Sequence, residues 1–167
     1  MSKFSIVIPI YNEEKNIPTL IKEISDIKEI KNFYELIFVN DCSTDKSLQL
    51  LNDFKNNENI KIINNTSNLG QSYSINKGIL QSRHEIIITM YGDLQNDPND
   101  IPRIYNLYKD KYEYKLIAGI RSKRKDSFAK KLASKIANFV RMIYLKDSCK
   151  DTGCSLKIFE KKIFLNF

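Results

Sequence analysis

Tryptophan is absent, glycine (5) and proline (4) are scarce, and His84 is the only histidine in 167 residues. So little glycine and proline excludes collagen-like and low-complexity architectures, and 42% hydrophobic with 28% charged residues excludes a disordered chain. Apolar stretches such as Leu36–Val39 and Ile86–Met90 fall far short of the roughly 18 residues that span a bilayer. The N-terminal apolar run is broken by Pro9 and then by Asn12-Glu13-Glu14, too short and too acidic for a secretory signal, which predicts a cytoplasmic protein. Three cysteines, Cys42, Cys149 and Cys154, make an odd number without CxxC spacing, so reduced thiols that hold no metal are expected. A chain of this size buries about 68–70% of its unfolded surface without needing disulfides, and one domain spanning 1–167 is the expectation.

Charge is abundant but uneven. Residues 1–120 hold 14 Lys/Arg against 16 Asp/Glu, whereas residues 121–167 hold 13 against 4, a net +9 within an overall +7. That asymmetry points to an anionic partner met through one end of the chain.

Lys3–Ile10, Tyr34–Asn40, Ile60–Ile63 and Glu85–Met90 are short, β-branched and apolar on both faces, which predicts buried parallel strands. Between them lie helical patterns over Glu13–Ile30, Asp45–Phe54, Gly70–Leu80 and Pro98–Tyr108. The alternation predicts an α/β fold, an open and mostly parallel Rossmann-like sheet flanked by helices, with 1–120 as a nucleotide-binding half. Ligands of such sheets bind beyond the carboxyl ends of the strands. The residues there are polar: Tyr11-Asn12-Glu13, then Asn40 to Asp45, then Tyr91 to Asp97. Neither GxGxxG nor GxxxxGK[ST] is present, which removes the usual dinucleotide and P-loop readings.

Ser43 or Asp45 is expected to cap the following helix. Asp41, one step earlier at the strand tip, is placed to accept hydrogen bonds from a uracil imide or a ribose. Asp93 and Gln95 alternate after a strand and would present two oxygen donors on one side of an extended segment, suited to Mg²⁺ or Mn²⁺ with a diphosphate. Asp97, just before Pro98, reads as a turn residue.

The segments PIYNEEKNI (9–17), FVNDCSTDKSL (38–48), NLGQSYSINKGI (68–79), MYGDLQNDPNDIP (90–102) and AGIRSKRKDS (118–127) resemble the family 2 inverting glycosyltransferases of the GT-A fold. The continuation DTGCSLKIF (151–159) is similar to the polyprenyl-phosphate glycosyltransferases, bacterial relatives of dolichyl-phosphate mannose synthase. The resemblance implies that Pro9, Tyr11, Asn12 and Glu13 form a nucleotide-binding loop, that Asp41 is the acidic residue after the second strand, and that Asp93 and Gln95 bind the metal. Two positions depart from the pattern: Asn40 replaces a more usual Asp, and Tyr91 stands where most members have the first Asp of DxD, leaving one carboxylate in that motif. Family members carry transmembrane helices after the catalytic domain, so the resemblance also implies a chain truncated before them, with acceptor-binding residues beyond Phe167.

The implied reaction moves a sugar from a nucleotide diphosphate sugar, a UDP-sugar in our reading, to a polyprenyl phosphate at the inner face of the cell membrane. A metal would neutralise the leaving diphosphate. A phosphate monoester is largely dianionic at neutral pH and needs positioning more than a strong base. Arg121 and Arg124, in the segment AGIRSKRKDS, offer planar multi-donor groups for phosphate. Asp151 falls where the resemblance puts an acceptor-side acid and is the candidate base. From Ser127 to Lys146, Phe128, Leu132, Ile136, Phe139, Val140 and Ile143 recur at helical spacing among lysines and arginines, a basic amphipathic helix suited to an anionic membrane surface. Residues 121–167 would thus be the acceptor- and membrane-facing part, and an oligomer is compatible with this reading. Transfer to a glycan hydroxyl would demand a true general base. A basic nucleic-acid-binding module would leave the acidic strand-tip loops unexplained, so no nucleic acid is expected.

Overall fold

A computed structural model describes residues 2–32, 34–111, 113–120, 151 and 153–165. Arg121, Arg124, Cys149 and the expected helix over 127–146 lie outside the described residues.

Strands β1 (Phe4–Ile10), β2 (Tyr34–Asn40), β3 (Ile60–Asn64), β4 (Ile86–Thr89), β5 (Leu116–Ala118) and β6 (Lys157–Glu160) form one sheet in the order β3-β2-β1-β4-β6-β5. β1 is central and pairs in parallel with β2, Ile6 opposite Leu36, and with β4, Ile6 opposite Ile88. β6 enters between β4 and β5 and runs antiparallel to both. The sheet is therefore mixed and mostly parallel, as expected, although the strand character of β6 was not anticipated.

Among the described residues, five helices accompany the sheet: α1 (Ile17–Asp26), α2 (Ser47–Asn52), α3 (Gln71–Leu80), α4 (Asp100–Asp110) and α5 (Lys161–Leu165). The burial of β1 on both faces explains why its sequence is apolar apart from Ser5. Phe4, Ile6, Ile8 and Ile10 join Ile17, Leu20, Ile21 and Ile24 of α1 and Ile101, Ile104 and Tyr105 of α4 in one core. Val7 faces the other way, into a second core with Ile37, Val39, Ile79 and Ile87. At Gly78 a Cβ would lie 2.4 Å from Val7 Cγ1, so only glycine lets α3 sit this close to the sheet. No helix among the described residues is long and apolar enough to cross a membrane.

Two helices are shorter than their patterns. α1 begins at Ile17 rather than Glu13, and the amides of Glu13 and Glu14 are donated across to Ser47 Oγ (2.8 Å) and Asp45 Oδ2 (3.1 Å). It ends at Asp26, with Lys28–Ile30 as a separate 3₁₀ turn. α2 spans only Ser47–Asn52, and residues after it continue through three-residue turns, Phe54 N–H to Leu51 O and Lys55 N–H to Asn52 O.

At the amino edge of the sheet Glu35 is buried, with 1% of its side chain exposed. Its Oε2 accepts the Ser5 hydroxyl (2.8 Å) and the Arg83 amide (2.9 Å), and its Oε1 accepts Arg83 Nε (2.8 Å). Burial pushes this carboxyl up, but those donors and the guanidinium charge outweigh it and hold it below the usual range.

Candidate nucleotide and cation cleft

The functional edge is the opposite one, where the loops after β1, β2, β3 and β4 meet. Among the described residues Asn12 (φ 56°), Cys42 (φ 59°) and Leu94 (φ 57°) are the non-glycine positions with left-handed backbone, one in each of the loops after β1, β2 and β4. Asparagine tolerates that conformation, whereas it costs Cys42 and Leu94 roughly 1–2 kcal/mol each. The surrounding hydrogen bonds hold these loops in place. Asn12 Oδ1 accepts Thr44 N–H (2.8 Å), Ser43 Oγ accepts Asn12 N–H (3.0 Å), and Glu14 Oε2 accepts Lys46 N–H (3.0 Å). Asp45 completes the zipper, its Oδ1 accepting the amide of the first α2 residue, Ser47, at 2.9 Å. Asp45 therefore serves the helix end as expected, while Ser43 serves the first loop instead.

These loops enclose a cleft of about 230 Å³ lined by Pro9, Tyr11, Glu13, Asp41, Asn68, Gly70, Gln71, Tyr91, Gly92 and Asp93, with Ile10 at its floor. Five of the six residues expected to bind nucleotide are gathered here: Pro9, Tyr11, Glu13, Asp41 and Asp93. Asn12 does not line the cleft and acts on its shape, through Thr44.

Asp41 is buried, and its Oδ1 accepts Asn65 Nδ2 (2.7 Å) and Leu69 N–H (3.0 Å), its Oδ2 the Gly70 N–H (2.8 Å). Burial raises its pKa, yet these donors together with the Ser74 hydroxyl bring it below the ordinary value, so Asp41 stays ionised. Gly70, at φ 86°, supplies one of those amides from a backbone that L side chains rarely adopt. Asn65, missed in the sequence, is 1% exposed and orients Asp41, its amide turned by Lys77 Nζ on Oδ1 at 2.8 Å. Only the Asn-Leu-Gly turn signal at 68–70 hinted at this loop. Asn40, the first departure from the family pattern, ties β2 to β3 by donating from Nδ2 to Asn64 Oδ1 at 2.6 Å.

Glu13 behaves in the opposite way to Asp41. Half-burial pushes its carboxyl up, the Asn16 amide pulls it down, and the charges of Asp93 and Asp45 push it up again, leaving it above the ordinary value. Asp93 Oδ1 accepts the Gln95 N–H at 3.0 Å, while Oδ2 accepts nothing from the described residues. The 93–95 segment is a turn, not the extended segment expected, because Leu94 is left-handed. In consequence Gln95 does not join Asp93. It is exposed and lines a separate cleft of about 870 Å³, with Asn96, Arg103, Leu107, Ile117 and Gly119 among its walls. Asp97 is the turn residue expected, its Oδ1 accepting the Asn99 N–H at 2.9 Å.

Glu13 and Asp93 are hard oxygen donors whose like charges act on each other, which fits a cation of the Mg²⁺ or Mn²⁺ type. No three Asp, Glu, His or Cys side chains converge as a complete metal set among the described residues, so substrate phosphates and water would have to finish the coordination sphere. Asp151 lines neither cleft; it is buried, and its Oδ1 accepts the Gly153 N–H at 3.2 Å at the turn leading towards β6.

Comparison with known proteins extends this picture. Undecaprenyl-phosphate 4-deoxy-4-formamido-L-arabinose transferase of Proteus mirabilis is 36% identical, covering 98% of this chain and 50% of the relative. The protein of that name from Photorhabdus laumondii is 37% identical with the same coverage. The chain thus spans about half the length of the curated relatives it matches. Among solved structures, Staphylococcus aureus TarS 1-349 in complex with UDP is similar with a TM-score of 0.66 at 22% identity, over 98% of this chain and 48% of that one. Glucosyl-3-phosphoglycerate synthase of Mycobacterium tuberculosis in complex with phosphoglyceric acid gives 0.74 at 15%, over 97% and 58%. A mannosyltransferase of Pyrobaculum calidifontis in complex with GDP-Man and Mn²⁺ gives 0.63 at 17%, over 77% and 37%. At these identities the structures speak to the fold, which they share as GT-A glycosyltransferases. The family model described as glycosyl transferase family 2 matches residues 5–166, and with relatives more than a third identical along nearly the whole sequence, the chain belongs to glycosyl transferase family 2.

Proposed function

We propose that this chain is the donor-binding part of an inverting glycosyltransferase that moves a sugar from a UDP-sugar to a polyprenyl phosphate at the cytoplasmic face of the membrane. The observation that carries the reading is the gathering of Pro9, Tyr11, Glu13, Asp41 and Asp93 around one cleft at the carboxyl edge of the sheet. The names of the undecaprenyl-phosphate relatives support the acceptor class. For the base, Asp41 lines the same cleft as an ionised carboxylate, the type of acceptor that a uracil imide N–H would seek.

Glu13 and Asp93 would hold a Mg²⁺ or Mn²⁺ ion, which supplies Lewis-acid neutralisation of the departing diphosphate. Gln95 then belongs to the wall of the larger cleft rather than to the first coordination sphere. The acceptor phosphate is its own dianionic nucleophile, so the reaction does not require Asp151 as a base. Arg121 and Arg124 are our candidates for phosphate contact, and the basic amphipathic sequence 121–146 for contact with anionic headgroups, each basic residue there contributing about 1 kcal/mol before screening.

The test is the melting temperature of the chain with UDP, GDP and ADP, each in Mn²⁺ and in EDTA. UDP with Mn²⁺ at 100 times its dissociation constant should stabilise by roughly 2.7 kcal/mol. A folded sample that shifts with no nucleoside diphosphate contradicts the reading, and a larger shift with GDP contradicts the uridine assignment.

A further inference from the structure

Beyond the residues that line the cleft, one buried hydroxyl touches both ends of the loop that carries Asp93. Ser155, 3% exposed, precedes β6 and lies far from that loop in sequence. Its Oγ accepts the Tyr91 N–H at 3.1 Å, at the loop entrance, and donates to Asn96 Oδ1 at the loop exit. Asn96, itself 8% exposed, turns its amide group onto Cys154 Sγ at 3.6 Å. The carbonyl of Ser155 accepts the Thr89 hydroxyl at 2.7 Å, fastening the same residue to the end of β4. Four groups of the 89–96 segment are thus held by the dipeptide Cys154-Ser155, while Leu94 in between keeps a left-handed backbone.

We infer that Ser155 is a positioning residue: its hydroxyl clamps the entrance of the Tyr91–Asn96 loop to its exit and so aims the Asp93 carboxylate into the cleft. The inference rests on the reading that Asp93 holds the cation. Chemistry favours a hydroxyl here, because one group must accept from an amide N–H and donate to an amide oxygen at the same time, and the bond to Asn96 is buried away from water that could replace it. A free loop in which a leucine adopts a left-handed backbone would relax towards commoner conformations, and Asp93 would move with it. The clamp also fixes the antiparallel strand β6, through its leading residues, to the loop that faces the donor.

Three variants test this: Ser155→Ala, Asn96→Ala as a second way to open the clamp should the first fold poorly, and Ser155→Thr, which keeps the hydroxyl. Two readouts are taken on each folded chain. Amide hydrogen exchange over 91–96 should quicken about tenfold in the alanine variants, with the 11–14 and 41–45 loops unchanged. Mn²⁺ affinity in the presence of UDP, from the loss of the free-ion electron paramagnetic resonance signal, should fall by about tenfold or more, as for outer-shell partners of metal ligands. UDP affinity in EDTA should stay within about twofold of the unsubstituted chain, and Ser155→Thr should restore both readouts. Unchanged exchange over 91–96 overturns the clamp whatever the ligand does. Faster exchange with unaltered Mn²⁺ affinity, or an equal loss of UDP affinity in EDTA, overturns the positioning role. If the unsubstituted chain binds no Mn²⁺ with UDP, the functional reading fails and the positioning role with it, whereas normal binding with indifferent variants defeats this inference alone.

Discussion

The two edges of the sheet each hold carboxylates, and they treat them in opposite ways. At the amino edge Glu35 is buried against Ser5 and Arg83, and its pKa lies below the ordinary value. At the carboxyl edge Glu13 is half-buried beside Asp93 and Asp45, and its pKa lies above it. The amino edge is finished around Glu35, both of whose oxygens accept from other parts of the chain. The carboxyl edge has left-handed Cys42 and Leu94, mutually repelling carboxylates and an Asp93 oxygen that no described residue uses. Electrostatic strain is thus localised at the edge where a cation and a diphosphate would relieve it.

The largest effect should come from breaking the finished edge. Glu35→Ala removes the acceptor for a buried hydroxyl, an amide and a guanidinium, and should cost about 3 kcal/mol in urea denaturation. UDP affinity of the fraction that folds should stay unchanged, and a matching loss of affinity would mean that the two edges are not independent.

Asp93→Asn reverses the pattern. It keeps the turn that accepts the Gln95 amide but removes the charge, so Mn²⁺-dependent UDP affinity should fall about tenfold or more while stability shifts by less than about 0.5 kcal/mol. If only the melting temperature falls, Asp93 is a turn residue. Tyr91→Asp sharpens the same point, since it adds a carboxylate at the cleft wall and should tighten Mn²⁺.

Acidity separates the edges by sign. Glu35, lowered from 4.5, contributes stability that is complete above that value and is lost as pH falls through its folded pKa. Glu13, raised from 4.5, contributes stability that is present below that value and is lost as pH rises through its folded pKa. Glu35→Gln should therefore flatten the acid limb of the stability–pH curve. Glu13→Gln should remove a penalty at neutral pH, and denaturation between pH 3 and pH 8 distinguishes the two.

The smallest effect is Cys42→Gly. It relieves a left-handed backbone at φ 59° and should stabilise by about 0.5–1 kcal/mol, the larger entropy of glycine in the unfolded chain offsetting part of the gain.

The strands and the edge that carries the cleft were legible because β1, β2 and β4 are buried on both faces and end in polar loops, a pattern that period and composition report directly. Pro9, Tyr11, Glu13, Asp41 and Asp93 could be placed together for that reason. The course of the chain at Gln95 was not legible, since a left-handed Leu94 makes a turn of the extended segment expected, and Asp93 and Gln95 line different clefts. Asn65 and Ser155 were illegible for another reason: each acts through hydrogen bonds to residues distant in the chain, which leave no periodic or spacing signal. β6 escaped notice because four residues between two partners need no long apolar run.

Calorimetric titration of UDP into the chain, in Mn²⁺ and again in EDTA, decides whether a cation and a diphosphate complete the carboxyl edge. Mn²⁺ should tighten binding about tenfold or more, with that gain abolished in Asp93→Asn. Equal affinity in Mn²⁺ and EDTA, or no binding in either by a folded sample, would contradict it.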